Sequence, residues 1–83
     1  MSYLVYILQC ADDTLYVGST NDIERRLYQH NELKTGARYT KARRPVTLLY
    51  TEYCDSRGQA LRREYFIKQL SREEKLQLIR AFQ

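Results

Sequence analysis

Six side chains in this 83-residue sequence have types suited to chemistry on a charged substrate. They are the phenols of Tyr6, Tyr16 and Tyr39, the guanidinium of Arg26, the imidazole of His30 and the carboxylate of Glu64. A phenol oxygen can hydrogen-bond a phosphate, or take a proton if its neighbours lower its pKa. A guanidinium grips phosphate oxygens through its planar fork, and a carboxylate can hold a hard divalent cation. Gly18, directly after Tyr16-Val17, lets a ligand or another piece of chain approach where a side chain would block it.

Helical periodicity singles out three of the six. On a helix running from Asn21 to about His30 or Asn31, take Ile23 as the origin. Leu27 then falls at about +40°, His30 at about −20° and Arg26 at about −60°, whereas Arg25 falls at about 200° and faces away. Arg26 and His30 thus border the buried face one turn apart. A snorkelling arginine and a hydrogen-bonded core histidine account for that placement as readily as a functional pair does.

On a second helix, from Ser56 to about Leu70, take Leu61 as the origin. Ala60 falls at about −100°, Ile67 at about −120° and Glu64 at about −60°, inside the apolar stripe. A buried carboxylate must be protonated, paired with Arg or Lys, or bound to a cation. Pairing with Lys68 or Arg26, and metal binding, both satisfy Glu64.

The elements that must position these groups are legible in outline. Tyr3 to Cys10 reads as a strand, Ala11-Asp12-Asp13 as a turn, and Thr14 to Ser19 as the hairpin partner. A three-residue loop pairs Cys10 with Thr14 and sets the even-numbered residues of both strands on one face, making Tyr6 and Tyr16 neighbours; a two-residue loop separates them. Asn21, with Glu24 three residues on, is expected to cap the first helix. A basic loop follows, with Gly36 and Pro45 as breakers, and then a third strand over Val46 to Tyr53. Asp55 or Ser56 caps the next helix, and Ser71 with Glu74 starts a last one through Phe82. The expectation is one α+β domain over residues 1–83. It has a small three-stranded antiparallel sheet flanked by helices, in the order β-β-α-loop-β-α-α. Tyr3, Tyr28, Tyr50, Tyr53 and Tyr65 are assigned to strands and core.

Net charge is +4, and its location carries more than its size. Lys34, Arg38, Lys41, Arg43 and Arg44 lie between Asn31 and Pro45 with Glu32 as the one acid, while the rest of the chain balances nine basic against nine acidic residues. A neutral body with one basic segment suits a phosphate backbone; a solvated basic loop fits the same pattern. Cys10 and Cys54 are too few and too far apart for a disulfide framework or a zinc site. No apolar run approaches the ~20 residues of a membrane span. Met1-Ser2-Tyr3 also lacks the start of a secretory signal, so a cytoplasmic protein with no membrane partner is expected.

Taken together and in order, the motifs resemble the GIY-YIG endonuclease domain. Leu4-Val5-Tyr6 stands at its first tripeptide and Tyr16-Val17-Gly18 at its second. Arg26 and His30 follow at the family's spacing, and Glu64 in Ala60-Leu61-Arg62-Arg63-Glu64-Tyr65 matches its metal-binding glutamate. Tyr39, in Gly36-Ala37-Arg38-Tyr39-Thr40, is a further match, and nearly the whole chain is covered. The sequence looks most like the small stand-alone branch, near structure-specific junction nucleases. It departs from the pattern in three ways: Leu4 replaces the first glycine, Ser19 and Thr20 stand where the excision-repair relatives carry a lysine shortly after the second tripeptide, and no asparagine occurs after Asn31, where many members have one beyond the glutamate helix.

The resemblance implies hydrolysis of DNA phosphodiester bonds with a single Mg²⁺ or Mn²⁺ on Glu64, no small-molecule cofactor, and branched or nicked DNA as partner. Arg26 would contact the phosphate and Tyr16 would take the proton of the attacking water, with Tyr6 beside it. His30 or Tyr39 would orient water or phosphate. Gly18, Lys34, Arg38, Lys41, Arg43 and Arg44 would meet the nucleic acid. The departures favour an alternative: a nucleic-acid-binding module on the same fold that does not cut efficiently. A protein-interaction domain using its hydrophobic helices is a third reading.

Overall fold

A computed structural model describes residues 2–32 and 38–82, apart from the side chain of Arg38. Its elements are β1 (Tyr3–Gln9), β2 (Leu15–Thr20), α1 (Ile23–Glu32), α2 (Arg38–Lys41), β3 (Thr47–Cys54), α3 (Arg57–Gln69) and α4 (Arg72–Phe82). The three strands form one antiparallel sheet in the order β2-β1-β3. The expected α+β class and order are observed, with one addition: the basic stretch read as a loop contains the short helix α2.

The hairpin has the register that makes Tyr6 and Tyr16 neighbours. Tyr6 pairs with Gly18 and Leu8 with Tyr16. The loop closes through Asp13 N–H to Cys10 C=O and Cys10 N–H to Thr14 C=O, both 2.9 Å, with Asp13 at φ 68°. A turn followed by one left-handed residue is the geometry of a three-residue hairpin loop, and aspartate tolerates that conformation.

Because β1 is the central strand, its alternation fills both faces. Val5 and Ile7 point to one side and pack with Val17, Tyr50, Ala60, Ile67 and Ile79 beneath α3 and α4. Leu4, Tyr6 and Leu8 point to the other and pack with Cys10, Val46, Tyr16, Ile23 and Leu27 beneath α1.

The cap of α1 is Asp22 rather than Asn21. Its carboxylate accepts from Arg25 N–H at 3.1 Å, while Thr20 Oγ1 accepts from Asp22 N–H at 3.1 Å. Either residue type can cap; the turn at Thr20 sets which one faces the free amides. Ser56 caps α3 as expected, accepting from Gln59 N–H at 3.2 Å. Ser71 and Glu74 form a reciprocal capping box at the start of α4.

The stripe of α3 is rotated from the expected one. Ala60 and Ile67 are fully buried, but Leu61 is 48% exposed. With Ala60 and Ile67 on the sheet, Glu64 and Arg63 fall on opposite flanks. Glu64 reaches Ser19 on β2, and Arg63 reaches Glu52 on β3, at 2.7 Å. Of the five tyrosines assigned to strands and core, only Tyr50 is buried; Tyr28, Tyr53 and Tyr65 are exposed.

Candidate active site

Two consecutive residues of the edge strand β2 organise the site, one on each face of the sheet. Gly18 faces α1. A Cβ at that position would lie 2.5 Å from the phenol oxygen of Tyr6, so the absence of a side chain is what lets the Tyr6 ring lie across β2. Ser19 faces α3 and donates from its hydroxyl to Glu64 Oε1 at 2.6 Å.

Around Tyr6 runs a buried polar chain. Its hydroxyl is 2.8 Å from His30 Nε2, and His30 Nδ1 is 2.7 Å from Thr40 Oγ1. His30 and Thr40 are fully buried, and each group finds its partner in the other elements. Among the described residues no buried side-chain polar atom lacks a partner. Burial, with the charges of Arg26 and Arg44, pulls the His30 imidazole down to about 4. A neutral imidazole has one donor and one acceptor nitrogen, and both are engaged here.

Tyr16 meets the His30 ring edge-on, centroids 5.1 Å apart, and stacks on Tyr39 at 6.0 Å. Tyr39 in turn lies under the Arg43 guanidinium at 3.9 Å. From α1, Arg26 donates to Gln29 Oε1 at 2.9 Å and acts on the Tyr6 phenol by hydrogen bond and charge. Burial outweighs that pull and pushes the Tyr6 phenol up to about 12, with Tyr16 and Glu64 adding to the rise. Tyr6 is therefore protonated at neutral pH. Beside this cluster, Thr20, Asn21, Asp22, Arg25, Arg26 and Gln29 line an open pocket at the start of α1.

Glu64 is largely sheltered, with 17% of its side chain exposed. While Oε1 takes the Ser19 hydroxyl, Oε2 pairs with Lys68 Nζ at 2.8 Å, one turn along α3. Of the two internal partners open in the sequence, Lys68 is the one observed; Arg26 serves the other face. The described residues contain no cluster of three His, Cys, Asp or Glu suited to a metal. The donor chemistry that fits a divalent ion is thus a single carboxylate, already holding a cation, with water and phosphate oxygens completing the shell, as Mg²⁺ accepts.

The structure brings together Tyr6, Tyr16, Arg26, His30 and Tyr39, with Gly18 beneath them and Glu64 around the same strand edge. The basic segment is less uniform. Lys34 lies outside the described residues, as does the side chain of Arg38; Lys41 is exposed on α2. Arg43 bridges the Asp12 carboxylate at 3.0 Å and the Tyr39 carbonyl at 2.9 Å. Arg44 donates to the carbonyls of His30 and Gln29, capping the C-terminal end of α1. Both arginines thus have work inside the fold. Ser19, Gln29 and Thr40 are the polar residues that sequence reasoning passed over. Gln29 follows Arg26 by three residues on α1, so helical spacing could have found it. Ser19 and Thr40 meet Glu64 and His30 only through folding, and no periodicity marks them.

A small α+β domain with helices on both faces of a three-stranded sheet, and a tyrosine-, arginine- and glutamate-bearing site at the edge strand, belongs to a recognised class of catalytic domain. The chain is a member of the GIY-YIG family: residues 2–77 match the GIY-YIG catalytic domain. Over 80 residues it is 54% identical to a UPF0213 protein of Desulfotalea psychrophila, covering 96% of this chain and 73% of that one. Over 76 residues it is 58% identical to a UPF0213 protein of Syntrophus aciditrophicus, covering 92% and 87%. It also resembles the solution NMR structure of a UPF0213 protein from Bacillus halodurans, with TM-score 0.62 and 42% identity over 98% of this chain and 85% of that one. An NMR structure of an E. faecalis protein is similar at TM-score 0.67 and 37% identity, covering 99% and 86%.

Proposed function

We propose that this chain is a divalent-metal-dependent endonuclease that hydrolyses phosphodiester bonds in DNA, with branched or nicked DNA as the candidate substrate and repair or recombination as the setting. The observation that carries the reading is the convergence at Gly18 and Ser19: a phenol pair and a guanidinium gather on one side of β2, and a sheltered carboxylate is held on the other.

Roles follow from the chemistry of each group. Glu64 would hold a single Mg²⁺ or Mn²⁺, which when bound supplies Lewis-acid stabilisation of the phosphate and the departing oxygen. Arg26 spends one donor on Gln29 and keeps others of its five for phosphate oxygens. Burial and the hydrogen bond with His30 make Tyr6 the less suited of the two phenols to act as a base. By the resemblance, Tyr16 of the second tripeptide is the phenol that would take the proton from the attacking water. With both ring nitrogens occupied, His30 orients Tyr6 and has no free nitrogen for water, while Tyr39 fixes the ring of Tyr16. Lys41, with Lys34 and Arg38, would meet the phosphate backbone, contributing affinity more than base selectivity. Arg43 and Arg44 do so only to the extent that their internal bonds leave donors over.

The test is a cleavage screen over duplex, nicked, flap and four-way DNA with Mg²⁺ and with Mn²⁺, Glu64→Ala run beside the parent chain. The parent is expected to cut at least one substrate, and Glu64→Ala to lose about 10³-fold in rate or more, equivalent to ~4 kcal/mol of transition-state stabilisation, while still binding DNA. Cleavage kept by Glu64→Ala removes the glutamate from the mechanism. A second reading, a module that binds but does not cut, is favoured by the internal neutralisation of Glu64 by Lys68. Tight, salt-sensitive binding with no product on any substrate selects it.

A further inference from the structure

We infer that Lys68 is a built-in competitor for the cation site at Glu64: its ammonium stands where a metal ion would bind and must leave before one does. The inference rests on the metal-binding role given to Glu64 above.

Glu64 sits beside the Ile67 and Ala60 contacts of α3 with the sheet, where a bare carboxylate would be costly. Three arginines, Arg26, Arg62 and Arg63, do not supply its counter-charge. Arg26 lies across the sheet with Gln29 and Tyr6. Arg63, on the opposite flank of α3, is bound to Glu52. Arg62 points away with the exposed face of the helix. The position one turn after Glu64 therefore supplies the cation, in the favourable order of acid before base along the helix. Lys68 lies 2.8 Å from Oε2.

The two partners of Glu64 differ in how firmly they are held. Ser19 is part of a strand and donates to Oε1, fixing the carboxylate's direction. Lys68 is a long side chain, 49% exposed, and among the described residues it is anchored through this ion pair. The lysine end of this pair is solvated and the spacing is one at which ion pairs are weak, so its ammonium can exchange for a divalent ion while Ser19 keeps the carboxylate aimed. Lys68 would thus keep Glu64 compensated in the metal-free chain and raise the metal concentration at which the site fills.

The experiment is titration of Mn²⁺ by calorimetry and by electron paramagnetic resonance into the full chain, Lys68→Met, Glu64→Gln and the double variant, without DNA. The Lys68 side-chain NMR signals are followed during a parallel Mg²⁺ titration. Lys68→Met is expected to bind Mn²⁺ about two- to fivefold more tightly, the range that a pair of this kind is worth. The Lys68 signals should shift as Mg²⁺ fills the site, and the gain should vanish in the double variant. Binding that needs Glu64 but is unchanged or weakened in Lys68→Met overturns this inference and leaves the metal reading intact. Binding indifferent to Glu64→Gln, or no binding at all, overturns both. Thermal unfolding of each variant checks that it is folded; Lys68→Met, at a half-exposed position, is expected to be tolerated.

Discussion

The two faces of the sheet are built by opposite rules from the same strand. Toward α3 and α4, β1 presents Val5 and Ile7 to a core of Val17, Ala60, Ile67 and Ile79, with charged groups confined to the flanks of α3. Toward α1 and α2 it presents Tyr6 to a buried chain of hydrogen bonds through His30 to Thr40. The first face gains from area removed from water and is tolerant of direction. The second gains little net free energy from each hydrogen bond but loses much if one partner is misplaced, so it specifies positions. The α3 face is thus mainly apolar, with Glu64 and Arg63 at its flanks, while the α1 face adds a position-fixing hydrogen-bond chain to an apolar core of its own.

That contrast can be broken. The largest stability effect is expected on the apolar face: Ile67→Ala should cost ~3 kcal/mol in urea unfolding through lost burial and the cavity left behind. Cleavage per folded molecule should stay close to that of the parent. A large loss of activity with little loss of stability would mean that the apolar face also aims the site.

Acid should act on the polar face. The folded-state value of His30, about 4, is depressed below its ordinary 6.5. Between those values the unfolded chain binds the extra proton, so stability rises with pH there. The contribution is whole above about pH 6.5 and is lost on acidification toward pH 4, by up to ~3 kcal/mol. Chemical unfolding at pH 4.5 and 7.5 should show that loss in the parent chain, with a clearly smaller one in His30→Gln. Equal losses would place the acid sensitivity elsewhere.

Gly18→Ala tests the close approach of Tyr6. The added Cβ, 2.5 Å from the phenol oxygen, must displace a buried ring whose hydroxyl is already bonded. A destabilisation of ~2 kcal/mol is expected, together with disturbed His30 ring resonances by NMR. Unchanged resonances would show that Tyr6 has room to move. The smallest effect belongs to the surface: Lys41→Ala should lower the salt slope of DNA binding by about one unit without altering stability. An unchanged slope would take α2 off the phosphate backbone.

The outlines of both faces can be read from residue types. Alternation in β1 and the length of the hairpin loop put Tyr6 beside Tyr16, and helical angles put Arg26 and His30 on the buried side of α1. Other features needed the fold. Leu61 counted as one edge of the α3 stripe because it is apolar, but in the fold Ala60 and Ile67 face the sheet and Leu61 is left exposed. Arg43 and Arg44 counted as free charge in the sequence, whereas folding sets Arg43 against Asp12 and Tyr39 and Arg44 against the end of α1. Asp22 took the cap from Asn21 because a threonine two residues before it turned the chain.

By itself the sequence determined which residues could be chemical and which local elements carry them, since side-chain period and turn chemistry act over a few neighbours. Only the tertiary structure decided their company: that Glu64 meets Ser19 and Lys68 and not Arg26, that His30 spends both nitrogens, and that Tyr6 crosses Gly18. Those outcomes depend on how helices on opposite faces lie across one strand edge. Contacts between residues as far apart in the chain as Ser19 and Glu64 leave no periodic trace in either segment alone.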